Sequence, residues 1–173
     1  MNNLNKMKYA DRERYQIDIK WPDPPLNIVL VNPMIPPNTG NIARLCAATG
    51  TILHLIKPLG FDLSDKQLRR AGLDYWSSVD INIHENYKEY EIKHKNANRY
   101  FYTTSGTLDY AKVKSQDGDH LIFGNEPYGL PDSLLKDNIE KCCNIPIKLD
   151  TVRSLNLSNA VSIALYSALR SIH

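Results

Sequence analysis

Three short segments of this chain bring together residue types that can bind and react. Asn38-Thr39-Gly40-Asn41-Ile42-Ala43-Arg44 sets a guanidinium three residues after an amide, so on a helix the two share one side. Phe123-Gly124-Asn125-Glu126-Pro127-Tyr128-Gly129-Leu130-Pro131 holds a carboxylate between two glycines on a tight loop. Arg153-Ser154-Leu155-Asn156-Leu157-Ser158-Asn159-Ala160 carries more hydroxyl and amide groups than a helix start needs. A permanent cation, a carboxylate and a polar rim are the ingredients of a site that orients a polar substrate and moves a proton. Each segment also has a plainer reading. Arg44 suits a solvated helix face, Glu126 a turn, Gly124 and Gly129 positions of positive φ, and the Ser/Asn run an over-supplied helix cap.

The elements that must position these residues alternate. Leu26 to Val31 is a nearly continuous apolar run, as in a strand covered on both faces. Pro36 to Gly40 breaks it, and Asn41 to Thr49 reads as a helix closed by Gly50. Ile52 to Ile56 is a second strand. Ser64-Asp65-Lys66-Gln67 has a capping-box pattern and opens a short helix that Gly72 ends. Strands are expected at Val79 to Ile83, Arg99 to Thr104, His120 to Phe123 and Cys142 to Ile147, with a polar helix over Asn86 to Lys95 and a short one after Pro131. Leu157, Val161, Ala164, Leu165, Ala168, Leu169 and Ile172 recur at helical spacing, the stripe of a buried C-terminal helix. The pattern predicts an α/β domain with a mainly parallel sheet and helices on both faces. In such sheets ligands gather where strands end and loops begin, which is where the three segments fall.

The 173 residues suit one domain, expected over 26–173, with residues 1–25 as an N-terminal extension ending in Trp21-Pro22-Asp23-Pro24-Pro25. A net charge of +2 makes no argument for nucleic acid by itself, so such a claim must rest on local clusters. No apolar run approaches a membrane span and no signal-peptide pattern opens the chain, so the expectation is a soluble, cytoplasmic protein. Cys46, Cys142 and Cys143 are expected to be buried free thiols. His54, His84, His94, His120 and His173 are scattered, none at metal-ligand spacing, and no metal is expected. Dinucleotide, P-loop and nucleophile-elbow signatures are absent.

Taken in order, the three segments resemble the motifs of the SPOUT methyltransferase superfamily, in its ribose 2′-O-methylating branch. The similarity spans roughly residues 26–172 and includes Ile35-Pro36-Pro37-Asn38-Thr39-Gly40-Asn41-Ile42, Leu68-Arg69-Arg70-Ala71-Gly72-Leu73-Asp74-Tyr75 and Ser154-Leu155-Asn156-Leu157-Ser158-Asn159-Ala160. Within that branch it points to the enzymes that modify the tRNA wobble nucleotide. The resemblance implies a deep trefoil knot in the C-terminal half, S-adenosylmethionine as cofactor and a homodimer that completes the site. It puts cofactor contacts at Tyr102, Thr103, Gly124, Ile145 and Ser154, where Tyr102 replaces an expected aliphatic residue. It puts Arg44, Glu126 and Asn156 at the chemistry. A guanidinium stays protonated, so Arg44 is expected to hold RNA phosphate and a developing alkoxide, with Glu126, or water ordered by it and Asn156, relaying the proton. Lys66, Arg69 and Arg70, on one helical face before Tyr75 and Trp76, suit phosphate and base contacts in a tRNA anticodon stem-loop, or else a solvated face. Methylation of another tRNA or rRNA position, and a catalytically silent RNA-binding module, remain open alternatives.

Overall fold

Every strand pairing in the sheet is parallel, so the backbone bonds of each strand depend on segments far away in sequence. The computed structural model describes residues 17, 19–62, 78–148 and 150–172. Seven strands appear among them: β1 (Asn27–Val31), β2 (Ile52–Ile56), β3 (Ile81–His84), β4 (Arg99–Tyr102), β5 (Leu108–Asp109), β6 (His120–Phe123) and β7 (Cys142–Asn144), in the order β3-β2-β1-β6-β4-β7-β5. All five residues of β1 are buried, as its nearly continuous apolar run predicts, and it lies between β2 and β6. The chain moves outward from β1 through β2 to β3 and resumes on the other side at β4, so the strand order reverses beside β1.

The described α-helices are α1 (Pro36–Thr49), α2 (Tyr87–Lys93), α3 (Asp132–Lys136) and α4 (Leu157–Ile172). One sheet face carries Ile28, Leu30, Leu53, Leu55, Leu121 and Phe123 against α1 and α4. The other carries Val29, Val31, Ile56, Phe101 and Ile122 beneath Tyr90 of α2 and Leu134 and Leu135 of α3. Helices on both faces agree with expectation. On α4, Leu157, Val161, Ala164, Leu165, Ala168 and Leu169 are buried, each large member contributing ~1.5–3 kcal/mol relative to exposure. No helix among the described residues is long and apolar enough to cross a membrane.

Two expectations need correction. α1 begins at Pro36, five residues before the predicted start, because a proline in the first helical turn gives up an N–H that had no partner there anyway. The Asn38-Thr39-Gly40 motif therefore lies inside the helix, while Gly50 closes it at φ 67° as predicted. β7 stops at Asn144, before Pro146, and the two-residue strand β5 was not legible at all.

Candidate active site

The ends of β4, β6 and β7 open into one cavity of about 620 Å3. Its floor is aromatic: Tyr102 and Phe123 are register partners on β4 and β6 and stack at 4.8 Å with their planes 12° apart. Burial pushes the Tyr102 hydroxyl well above the ordinary phenol range, so it stays neutral. The departure from an aliphatic residue at Tyr102 thus becomes a packed pair. Cys143 lines the same cavity, but burial pushes its thiol up to about 12, which removes it as a nucleophile. All three cysteines are buried and free, as expected.

Two walls depend on close backbone approach. A Cβ on Gly124 would sit 1.9 Å from the Gly129 carbonyl carbon, so only glycine fits there. The 124–130 loop folds back on itself through paired Asn125 and Gly129 bonds of 3.2 and 2.9 Å, and Asn125 Oδ1 accepts from the Tyr128 N–H at 2.8 Å. Gly129 has φ 72°, the left-handed turn its position suggests. The loop after β4 presses on β7 in the same manner: a Cβ on Gly106 would meet the Cys143 carbonyl carbon at 2.6 Å.

A directed chain of hydrogen bonds ties the three motif segments together. The Glu126 carboxylate accepts from the Met34 N–H at 2.9 Å, the Ile35 N–H at 3.2 Å and Asn38 Nδ2 at 2.9 Å. Asn38 Oδ1 accepts from Asn156 Nδ2 at 2.9 Å, and Asn156 Oδ1 accepts from the Ser158 N–H at 2.9 Å and the Ser158 hydroxyl at 2.7 Å. Each amide is oriented by its neighbours, since the carboxylate only accepts and the N–H only donates. Asn156 caps α4 and joins the site with the same side chain, so the plain and the functional readings of the Ser/Asn run are both present. Asn38, 5% exposed, is the central link and the residue our expectations missed. Its signal lay in the motif, masked by placing the helix start at Asn41.

Tyr102, Thr103, Gly124, Glu126, Ile145, Ser154 and Asn156 all line the cavity. Arg44 does not: it is exposed on α1 outside the cavity. Lys66, Arg69 and Arg70 lie outside the described residues. On the opposite sheet face, away from the cavity, the fold gathers His54, His84 and His94, which sequence spacing had left scattered.

Residues 25–166 match the model of the SpoU rRNA methylase family. The chain is 50% identical over 149 residues to the tRNA (cytidine(34)-2'-O)-methyltransferase of Escherichia coli K12, covering 85% of this chain and 94% of that protein. It resembles a solved structure described as giving insights into the 2-OH methylation of C/U34 on tRNA, with TM-score 0.80, 41% identity, and 84% and 95% of the two chains covered. An AdoMet-bound rRNA methyltransferase from Sinorhizobium meliloti aligns at TM-score 0.73 and 25% identity, over 84% of this chain and 56% of that one.

Proposed function

Because the chain belongs to the SpoU rRNA methylase family, we propose that it transfers a methyl group from S-adenosylmethionine to the ribose 2′-hydroxyl of the tRNA wobble nucleotide. The observation that carries this reading is the Glu126–Asn38–Asn156 chain, which holds three motif-bearing loops around one cavity. The relatives that share about half their residues with this chain over most of their length support the choice of substrate.

The residues present fit the cofactor. The cavity lies within the ~300–1,000 Å3 range of small-molecule sites. Leu130, Ile145 and the Tyr102–Phe123 stack offer apolar surface, while the tight approach at Gly124 leaves main-chain groups to meet polar ends. Tyr102, Thr103, Gly124, Ile145 and Ser154 would hold it. When bound, it supplies an electrophilic methyl group on a cationic sulfur, and a dry, fixed cavity favours the loss of that charge during transfer.

Three donors already occupy most of the acceptor capacity of the Glu126 carboxylate, which favours water ordered beside Glu126 and Asn156 as the first acceptor. Arg44 serves as a bidentate phosphate and alkoxide contact. Its place outside its own cavity supports a homodimer in which it serves the cavity of a second copy. Ile163 and Tyr166, 38% and 55% exposed on α4, supply apolar surface for that contact. Lys66, Arg69 and Arg70 would contact anticodon-loop phosphates. The knotted C-terminal half belongs to the same proposal, supported by the parallel order β1-β6-β4-β7 and by α4 packing back on α1 and β6. An enzyme of this kind would work on tRNA in the cytoplasm.

The test is methylation of an unmodified tRNA pool with labelled S-adenosylmethionine and mapping of the label. Label on the wobble ribose is expected. Label on another tRNA or rRNA nucleotide overturns the substrate, and retained RNA binding with no incorporation leaves a silent binding module.

A further inference from the structure

The sheet face opposite α1 and α4 carries a second polar cluster with no part in the cavity. His54 in β2, His84 at the end of β3, His120 at the start of β6 and His94 just past α2 converge beneath α2, with ring centroids 4.9 to 5.8 Å apart among the contacting pairs. His54, His84 and His120 are no more than 5% exposed. So much neutral imidazole in a core is costly unless each nitrogen has a use.

The bonding pattern assigns the tautomers. Asn27 Nδ2 donates to the Pro25 and Gly118 carbonyls at 3.1 and 3.2 Å, which turns its Oδ1 toward His54 Nε2 at 3.0 Å. His54 Nε2 therefore carries the proton and His54 Nδ1 a lone pair. His84 Nε2, 3.0 Å away, donates to it, and His84 Nδ1 is left as a buried acceptor with no partner among the described residues. An imidazole that gives one N–H to an amide oxygen while aiming its other nitrogen inward has the arrangement found behind metal-bound histidines. His94 completes the group: one ring nitrogen from each of His54, His84 and His94 lies within 4.8 Å of the others.

We propose that His54, His84 and His94 form a site for one divalent transition metal of the zinc type, clamping α2 onto β2 and β3. Three imidazoles without thiolate or carboxylate suit Zn2+, Co2+, Ni2+ or Cu2+ and exclude Mg2+ and Ca2+. Bonds of ~2.0–2.1 Å in tetrahedral geometry put ligand nitrogens ~3.3 Å apart, so the His54–His84 pair already has the separation. His94 must swing inward by ~1–2 Å to reach the same spacing. It sits on a half-buried turn whose carbonyl accepts from Arg99, so its side chain can move without unpacking a strand. On binding, His84 presents Nε2, its proton having moved to the unpartnered Nδ1. Burial, with the neighbouring rings, pushes His54 down to about 3, and burial, with the nearby cations Arg99 and Lys93, lowers His94 and, with Lys93 and His94, lowers His84, so all three favour the neutral, ligating form. Arg99 and Lys93 are the nearby cations that oppose a metal, and Glu89 is the nearby anion that favours it.

Tag-free, full-length protein freed of metal by chelation is titrated with Co2+ and followed by visible absorption, then competed with Zn2+. One equivalent per chain is expected, with an intense tetrahedral band bleached by Zn2+ and a Tm raised by either ion. His94→Gln, at the half-buried position, keeps the metal-free Tm and loses at least tenfold in Co2+ affinity; His84→Asn loses the band. His173→Gln changes neither. Absence of the band in the wild type, or a band and Tm rise that survive in both His94→Gln and His84→Asn, overturns the site. Methyl transfer is not the readout, so this inference and the proposed function fail separately.

Discussion

Asn38 shows how much one buried amide can decide. It donates to Glu126 and accepts from Asn156, so each neighbour is oriented through it. Asn38→Ala leaves Asn156 Nδ2 without its acceptor and strips one donor from Glu126, a cost of ~1–3 kcal/mol. A lower urea midpoint is expected, with turnover falling ~10–100-fold as the loops lose their common anchor; unchanged turnover on labelled tRNA would exclude the anchoring role. Gly124 carries a different constraint. Gly124→Ala must displace the Gly129 carbonyl carbon from 1.9 Å, so ~1–3 kcal/mol of stability and most cofactor affinity should be lost, read by calorimetric titration with S-adenosylmethionine. Both residues were in view from the sequence as motif members. The reason for each became visible only when loops from distant segments met.

At the scale of elements, the sheet and α2 enclose histidines that folding keeps neutral. Burial first, then neighbouring rings, push His54 down to about 3; burial, His94 and Arg99 do the same for His120. In the unfolded chain both take up protons as the pH falls below about 6.5, while in the folded chain they stay neutral until about 3. The unfolded state therefore binds more protons across that window, and stability is full above it and falls as pH drops. Each histidine adds a slope of up to ~1.4 kcal/mol per pH unit. Urea unfolding in the presence of chelator should show a midpoint that drops between pH 7.5 and pH 5 at constant m-value, and His54→Asn should flatten the trend. The C-terminal helix offers a simpler case: Asn156→Ala removes its cap and should cost ~1 kcal/mol, with additional loss of turnover that a pure cap would not explain.

For the whole molecule, the placement of Arg44 is the informative fact. It belongs to the motif that supplies Asn38, yet it lies outside the cavity that Asn38 helps to frame. If a second copy receives Arg44, then Arg44→Ala and Asn38→Ala proteins, each impaired alone, should regain activity beyond the sum of the two when unfolded and refolded together. One mixed site would then combine an intact cavity with an intact arginine. Activity that stays at the sum of the two separate proteins would show that each chain serves itself.

The alternation of strands and helices along the chain, the closing Gly50, the buried stripe of α4 and most residues around the cavity were legible in the sequence. They rest on local rules of periodicity, capping and turn geometry, together with ordered motifs shared with a family. The start of α1, the strand β5, the linking role of Asn38, the distance of Arg44 from its own cavity and the gathering of the histidines were decided by tertiary structure. Parallel pairing joins segments separated by long crossovers, so which side chains meet depends on strand order and register, and neither is written in the spacing of residues along one stretch of chain.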